Sequence, residues 1–327
     1  MSPSAGRPGL SDITAAADRI AGLAWRTPMV PSPALSRATG ASVWLKLEIV
    51  QATGSFKMRG AANALGRLLE RGFDGDVISA SAGNHGLALA TAARRLGFRV
   101  RIHLPRTAPA AKKETLAGLG AEAVEAATYD EAEARAREDA ARSGGHYLSP
   151  YNDADVVAGA ATVALEMFDE QPDLDALVVP VGGGGLLAGT AIVGRARRAD
   201  RLLIFGTEAN ASPVYTSALA AGRPVTVEVG PTLADGLAGN MDADSLTFPV
   251  IQELVDRVVS TDESSIARAM RRLVLDDRLV AEGAAATAIA ALDQLELRGR
   301  HVGIILSGRN VDAEVIERVL GAEGPGV

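Results

Sequence analysis

Residues 176–186 read Ala-Leu-Val-Val-Pro-Val-Gly-Gly-Gly-Gly-Leu, a short apolar run that stops at four consecutive glycines. A run with so little polar alternation fits a strand buried on both faces, in the middle of a sheet rather than at its edge. The glycines precede a segment with helical apolar spacing, so the window predicts a strand–loop–helix junction. Several N–H groups exposed around a concavity at a helix start suit a phosphate. The window also matches a dinucleotide fingerprint. Gly183, Gly185 and Ala188 give G-x-G-x-x-A, and Glu208 ends the next predicted strand about where a ribose-binding acid belongs. Taken alone, these residues are as compatible with NAD as with a single phosphate.

Outward from this window, β-branched runs at 43–48, 77–81, 100–104, 202–207 and 302–307 predict further strands. Helical spacing fills 56–69, 87–96, 154–168 and 264–275, and strand–helix alternation of this kind predicts parallel sheets with helices on both faces. The Arg/Glu/Ala-rich stretch 130–142 reads as a solvated amphipathic helix without a function of its own. The chain has 327 residues, enough for two ordinary domains or one large α/β domain, with 47% hydrophobic and 22% charged residues, a globular balance. Net charge is −7 and no basic stripe interrupts it, which argues against nucleic acid and anionic membrane as partners. Cysteine is absent, which removes disulfides, thiolate metal sites and a cysteine nucleophile. The first twenty residues hold no apolar core of signal-peptide length, and no window reaches the roughly 20 apolar residues of a membrane helix. The expected compartment is the cytoplasm.

Two more glycine-punctuated junctions follow predicted strands. Thr53-Gly54-Ser55-Phe56-Lys57 puts a lysine near the start of a helix. There the helix dipole and burial both disfavour the ammonium form, leaving a nucleophilic amine suited to Schiff-base chemistry. For an isolated lysine, a solvent-facing side chain is the commoner outcome. Ser81-Ala82-Gly83-Asn84-His85-Gly86 follows the strand at 77–81. Its small residues allow close backbone approach to a ligand, and its N–H groups can hold a carboxylate, although by itself it reads as a capped strand–helix loop.

The three junctions and the terminal Leu306-Ser307-Gly308-Arg309-Asn310 stand in the order seen in fold-type II pyridoxal-phosphate enzymes, the tryptophan synthase β-like fold. The chain resembles the threonine/serine dehydratase and serine racemase group of that superfamily from about residue 13 to about 319. The resemblance implies that Lys57 binds pyridoxal 5′-phosphate as a Schiff base, with Phe56 beside the ring and Asn84 on the 3′-oxygen. Gly182, Gly183, Gly184, Gly185 and Leu186 cradle the phosphate, Ser307 faces the pyridine nitrogen, and Glu282 and Asp235-Gly236 line the pocket. The NAD reading leaves Lys57, the Ser81–Gly86 loop and Ser307 unexplained. Ser81, Asn84 and His85 are the candidates for gripping a substrate carboxylate.

The implied architecture is two open, twisted α/β domains with mainly parallel sheets and the cofactor in the cleft between them. The large domain takes 1–68 and 150–327, and a small mobile domain takes 69–149. The implied reaction is elimination of water from a β-hydroxy amino acid such as threonine or serine, giving a 2-oxo acid and ammonia. A homodimer is the family expectation, and the chain leaves no room for a C-terminal regulatory domain. Serine racemases carry a second serine where this chain has Ala82, which lacks a transferable proton, so little racemisation is expected. Tyr151, Ala160 and Arg309 replace the phenylalanine, glutamine and glycine usual in the family, which favours a larger or more polar substrate of the hydroxyaspartate or phenylserine type. A divalent or monovalent cation in the family sits on an acid matching Glu208. A later carboxylate falls at Val214 here, so structural hydrogen bonding is the expected job of Glu208. His103, His146 and His301 lack motif context and are expected to be structural.

Overall fold

The computed structural model describes residues 6–81 and 83–321. Among these residues ten strands run in chain order as β1 (Met29–Pro31), β2 (Ser42–Leu47), β3 (Val77–Ala80), β4 (Val100–Pro105), β5 (Glu122–Ala126), β6 (His146–Tyr147), β7 (Ala176–Pro180), β8 (Leu203–Ala209), β9 (Arg257–Thr261) and β10 (His301–Leu306). They form two sheets. The larger has the order β1-β2-β10-β7-β8-β9, with every pair parallel except β1–β2. The smaller is β5-β4-β3-β6, all parallel.

The apolar run before the glycines is an inner strand, and all five residues of β7 are buried. Leu177 and Val179 face one core of the large sheet while Ala176 and Val178 face the other, as the two-residue period of a strand requires. Around the smaller sheet, Val77, Ile102 and Leu104 join one apolar cluster, while Ile78 and Ala80 join another with Ala136 and Ala140. Helix Tyr129–Ser143 therefore packs on that sheet through its alanines, and its remaining surface is largely charged.

The chain continues past the expected strand limit at 207, because β8 runs to Ala209 and carries Glu208 inside it. The helix expected to 275 is α-helical over Glu263–Arg272 and then widens to a π-turn at Leu273–Asp277. β1, β5, β6 and β9 were not anticipated. β6 has two residues and β1 three, too short for a periodicity to register, and the Glu-rich β5 lies at a sheet edge with an exposed face.

In a parallel sheet the loops at the C-terminal ends of neighbouring strands share one edge, where open α/β folds bind their ligands. β2, β10 and β7 are adjacent, so the segments leading to Lys57, Ser307 and Gly182 emerge side by side. Phe56 N–H donates to the Ser307 carbonyl at 3.0 Å, and Ser55 forms an isolated bridge with Gly308. Beneath this edge Arg59 is buried with Glu48. Its guanidinium donates to both Glu48 oxygens at 2.8 Å and to Glu166 at 2.6 Å, and Lys46 meets Glu166 at 2.7 Å. A pair so desolvated is costly to break from one side, so it ties the first turn of the Lys57 helix to β2 and to helix Ala154–Glu170.

Candidate active site

Lys57 is the first residue of helix Lys57–Glu70. Its amine donates to the Pro150 carbonyl at 2.9 Å and lies 5.2 Å from the centre of the Phe56 ring. Burial lowers its pKa from 10.5 to about 8, although the Glu282 carboxylate acts to raise it. A substantial neutral fraction near pH 8 gives the amine the nucleophilicity that carbonyl chemistry demands.

One cavity is lined by Phe56, Lys57, Pro150, Tyr151, Ala160, Gly182 to Leu186 and Ser307. The glycines close against their surroundings. A Cβ at Gly182 would lie 3.1 Å from the Leu237 Cα, one at Gly183 would strike the Tyr151 ring, and one at Gly184 would strike the Tyr215 hydroxyl. Gly184 also has φ +88°, a conformation that side chains rarely adopt. The loop leads into helix Gly185–Arg198, whose first N–H groups have no intrahelical acceptor. An amine for an aldehyde, an N–H cradle for a phosphate and the neutral hydroxyl of Ser307 for a ring nitrogen together fit pyridoxal phosphate.

Asn84 starts helix Asn84–Leu96 and reaches across to the large sheet. Its amide nitrogen donates to the two oxygens of Glu282 at 2.9 and 3.1 Å, and its oxygen accepts from Asn310 at 2.7 Å. Burial pushes the Glu282 carboxyl up to about 7, against the Asn84 hydrogen bond that lowers it. Gly83, Asn84, Lys112, Asp235, Gly236, Glu282 and Asn310 border a second cavity of about 300 Å³, which adjoins the first at Gly236.

Ser81 and His85 stand differently. The Ser81 hydroxyl accepts from the N–H groups of Gly83 at 3.2 Å and Gly86 at 3.0 Å, so it caps its own loop. His85 is buried, neither ring nitrogen has a hydrogen-bond partner among the described residues, and burial together with the charge of Lys57 lowers its pKa to about 3. It is a neutral ring behind the loop, whereas Asn84 faces the cleft. Ala82 lies outside the described residues. Arg309, expected to add polar reach to the pocket, instead borders an outer depression with Ala52, Thr91, Thr115 and Leu119. Its N–H donates to the Gly54 carbonyl at 2.9 Å. Tyr151 and Ala160, by contrast, do line the Lys57 cavity.

Glu208 accepts from the N–H groups of Tyr215 and Thr216, each at 2.9 Å, and from the Ser260 hydroxyl at 3.1 Å. Both carboxylate oxygens are thus engaged by protein donors. No cluster of three or more His, Cys, Asp or Glu with metal-holding geometry occurs among the described residues. His103 pairs with Asp139 at 3.2 Å in the small sheet's core, and His146 packs edge-on against Phe73. The residues that sequence reasoning missed are Pro150, Asn310, Tyr215 and Thr247. Only Asn310 carried a signal, as the last residue of the Leu306–Asn310 motif.

A family model described as pyridoxal-phosphate dependent enzyme matches residues 20–308. The L-threonine ammonia-lyase of Thermotoga maritima is 38% identical over 313 residues, covering 95% of this chain and 78% of that protein. The L-threo-3-hydroxyaspartate ammonia-lyase of a Pseudomonas species is also 38% identical, covering 93% of this chain and 95% of that protein. Maize serine racemase superposes with a TM-score of 0.89 at 31% identity, covering 95% of this chain and 96% of that one.

Proposed function

Since the chain belongs to the pyridoxal-phosphate dependent enzyme family, we propose that it is an ammonia-lyase that eliminates water from a β-hydroxy amino acid, such as threonine or serine, to an enamine that then takes up water and yields a 2-oxo acid and ammonia. The observation that carries this reading is the convergence of Lys57, the glycine loop and Ser307 on one cavity. Lys57 would hold the cofactor covalently, Gly182 to Leu186 its phosphate, Asn84 its 3′-oxygen and Ser307 its ring nitrogen. When bound, pyridoxal phosphate supplies the electron sink that makes the substrate Cα–H acidic and the β-hydroxyl a leaving group. Once displaced from the cofactor by the substrate amine, Lys57, whose pKa burial lowers to about 8, would be free to take the Cα proton and to pass one to the departing hydroxyl. Ser307 would present a neutral hydroxyl to the ring nitrogen, where a carboxylate would keep it protonated, and would so hold the electron sink to a moderate strength suited to β-elimination. N–H groups of the Ser81–Gly86 loop, with Asn84, are the donors for the substrate carboxylate.

The two sheets support a division at about residues 69 and 149, with the 69–149 unit rotating to close the cleft and exclude water. No helix among the described residues is long and apolar enough to cross a membrane. A cytoplasmic location and a homodimer complete the reading, the homodimer on the family resemblance alone.

A second reading keeps the chemistry and enlarges the substrate. Ala160 and Tyr151 both line the Lys57 cavity, and the short alanine leaves room for a hydroxyaspartate- or phenylserine-like side chain. The test is an absorbance spectrum of the purified holoenzyme, followed by 2-oxo acid release and chirality of residual substrate across a panel of β-hydroxy amino acids. A band near the visible edge that Lys57→Ala abolishes, with 2-oxo acid and without racemisation, is expected. Absence of the band would remove the cofactor assignment. Racemised substrate without 2-oxo acid would make the chain a racemase. The highest kcat/KM on threonine would end the larger-substrate reading.

A further inference from the structure

Behind the glycine loop, on the side away from the cavity, three hydroxyl groups meet. The Tyr215 hydroxyl lies 2.8 Å from the Thr247 hydroxyl, which lies 2.9 Å from that of Ser245. Two of them converge on a single backbone oxygen. The Gly183 carbonyl accepts from Tyr215 at 3.2 Å and from Thr247 at 2.9 Å. All three residues are buried, Tyr215 and Thr247 completely. None of the three borders the cavity, although Gly183 and Gly184 do.

We infer that Tyr215 and Thr247 are positioning residues for the cofactor phosphate, holding the Gly183 carbonyl so that the adjoining N–H faces the cavity; this rests on the pyridoxal-phosphate reading of the site. A trans peptide is planar, and its C=O and the N–H of the next residue point in opposite directions. Holding the Gly183 oxygen on the hydroxyl side therefore turns the Gly184 N–H to the cavity side. Without those donors the peptide could rotate, offering a carbonyl oxygen to a phosphate it would repel. The φ of +88° at Gly184 is the backbone signature of this arrangement, and the absence of a Cβ there leaves room for the Tyr215 hydroxyl.

The tyrosine is itself held. It is the second residue of helix Val214–Ala221, whose N–H groups at Tyr215 and Thr216 are accepted by Glu208 from the end of β8. Burial raises the phenol well above its ordinary value, so the group remains a protonated donor across the working pH range. A buried side chain thus connects the acid in β8 to the loop after β7, through one helix N-terminus and one hydroxyl.

The test compares pyridoxal phosphate with pyridoxal, which lacks only the phosphate ester. Protein stripped of cofactor is titrated with each by absorbance, for the unsubstituted chain, Tyr215→Phe, Thr247→Val and Thr247→Ser. Loss of one such donor is expected to weaken pyridoxal phosphate binding about tenfold in Tyr215→Phe and Thr247→Val. Pyridoxal binding should stay unchanged in both, and Thr247→Ser should restore the phosphate form. Equal weakening of both ligands would make the hydroxyls merely structural and overturn the inference, as would unchanged pyridoxal phosphate affinity in both variants. Failure of the unsubstituted chain to bind either ligand would instead overturn the cofactor reading beneath it.

Discussion

Glu282 shows how a single side chain can couple the site to pH. It is nearly fully buried, it receives the Asn84 amide from across the cleft, and it stands near Lys57 on one side and Asp235 on the other. Its folded pKa of about 7 lies above the unfolded value of 4.5. An acid shifted upward binds its proton more tightly in the folded state, so its contribution is fully present below the unfolded value and is lost as pH rises through about 7. Glu282 therefore acts to lower the melting temperature of cofactor-free protein between pH 5.5 and 8, against His85, whose lowered pKa acts the other way. Glu282→Gln should make the change in melting temperature over that range more positive in scanning calorimetry. An equal slope in both proteins would show that the carboxyl does not titrate there. Lys57, as the attachment point, was legible in the sequence because its motif is local. The state of Glu282 was not, because its desolvation and its Asn84 partner, 198 residues away, arise only on folding.

At the scale of elements, the position of Lys57 depends on how closely two helices approach. A Cβ on Gly159 would strike the Arg59 carbonyl and come within 2.8 Å of the Asn63 Cβ, while one on Gly60 would lie 2.9 Å from the Val156 carbonyl. Helices Lys57–Glu70 and Ala154–Glu170 thus meet backbone to backbone, one turn from the reactive amine. At an open helical site, Gly→Ala gains up to about 1 kcal/mol. At Gly159 the overlap should win, and Gly159→Ala should lose about 1–3 kcal/mol in denaturant unfolding. Gly118, which ends its helix with nothing within 4 Å of an added Cβ, is the contrasting case. Gly118→Ala should be neutral or stabilising, and similar losses at both positions would refute the packing account. The helix at 130–142 is the instructive mismatch at this scale. Its sequence reads as a solvated face, and much of it is one, yet Arg137 projects across to Asp242 at 3.2 Å while stacking 4.4 Å over the Tyr147 ring.

That contact matters for the molecule as a whole, because it joins the smaller sheet's layer to the segment after Gly236. Together with Asn84–Glu282 it spans the cleft, and Asn152 reinforces it by donating to Asp242 at 2.9 Å. If the 69–149 unit rotates, the Arg137–Asp242 and Asn84–Glu282 contacts are what it must make and break. Arg137 is partly exposed and its ion pair contributes little to global stability. Arg137→Ala should leave the melting temperature within about 2 °C. It should nevertheless speed hydrogen exchange across 129–143 and raise KM more than it lowers kcat. Unchanged exchange would mean that the contact does not restrain closure.

The amino-acid sequence by itself determined the strand–helix alternation, the buried β7, the glycine loop after it and the ordered motifs around Lys57, Asn84 and Ser307. These are local signals, written in hydrophobic period, glycine placement and short spacings. Only the tertiary structure decided that β2, β10 and β7 stand side by side and so gather those motifs at one edge. It also decided that His85 is buried, that Arg309 borders a depression other than the Lys57 cavity, and that the Tyr215 and Thr247 hydroxyls meet the Gly183 carbonyl. Sheet order, burial and hydrogen bonds between residues far apart in the chain are properties of the packed chain. A hydroxyl acquires a role only when folding brings an acceptor within reach and removes the water that would otherwise satisfy it.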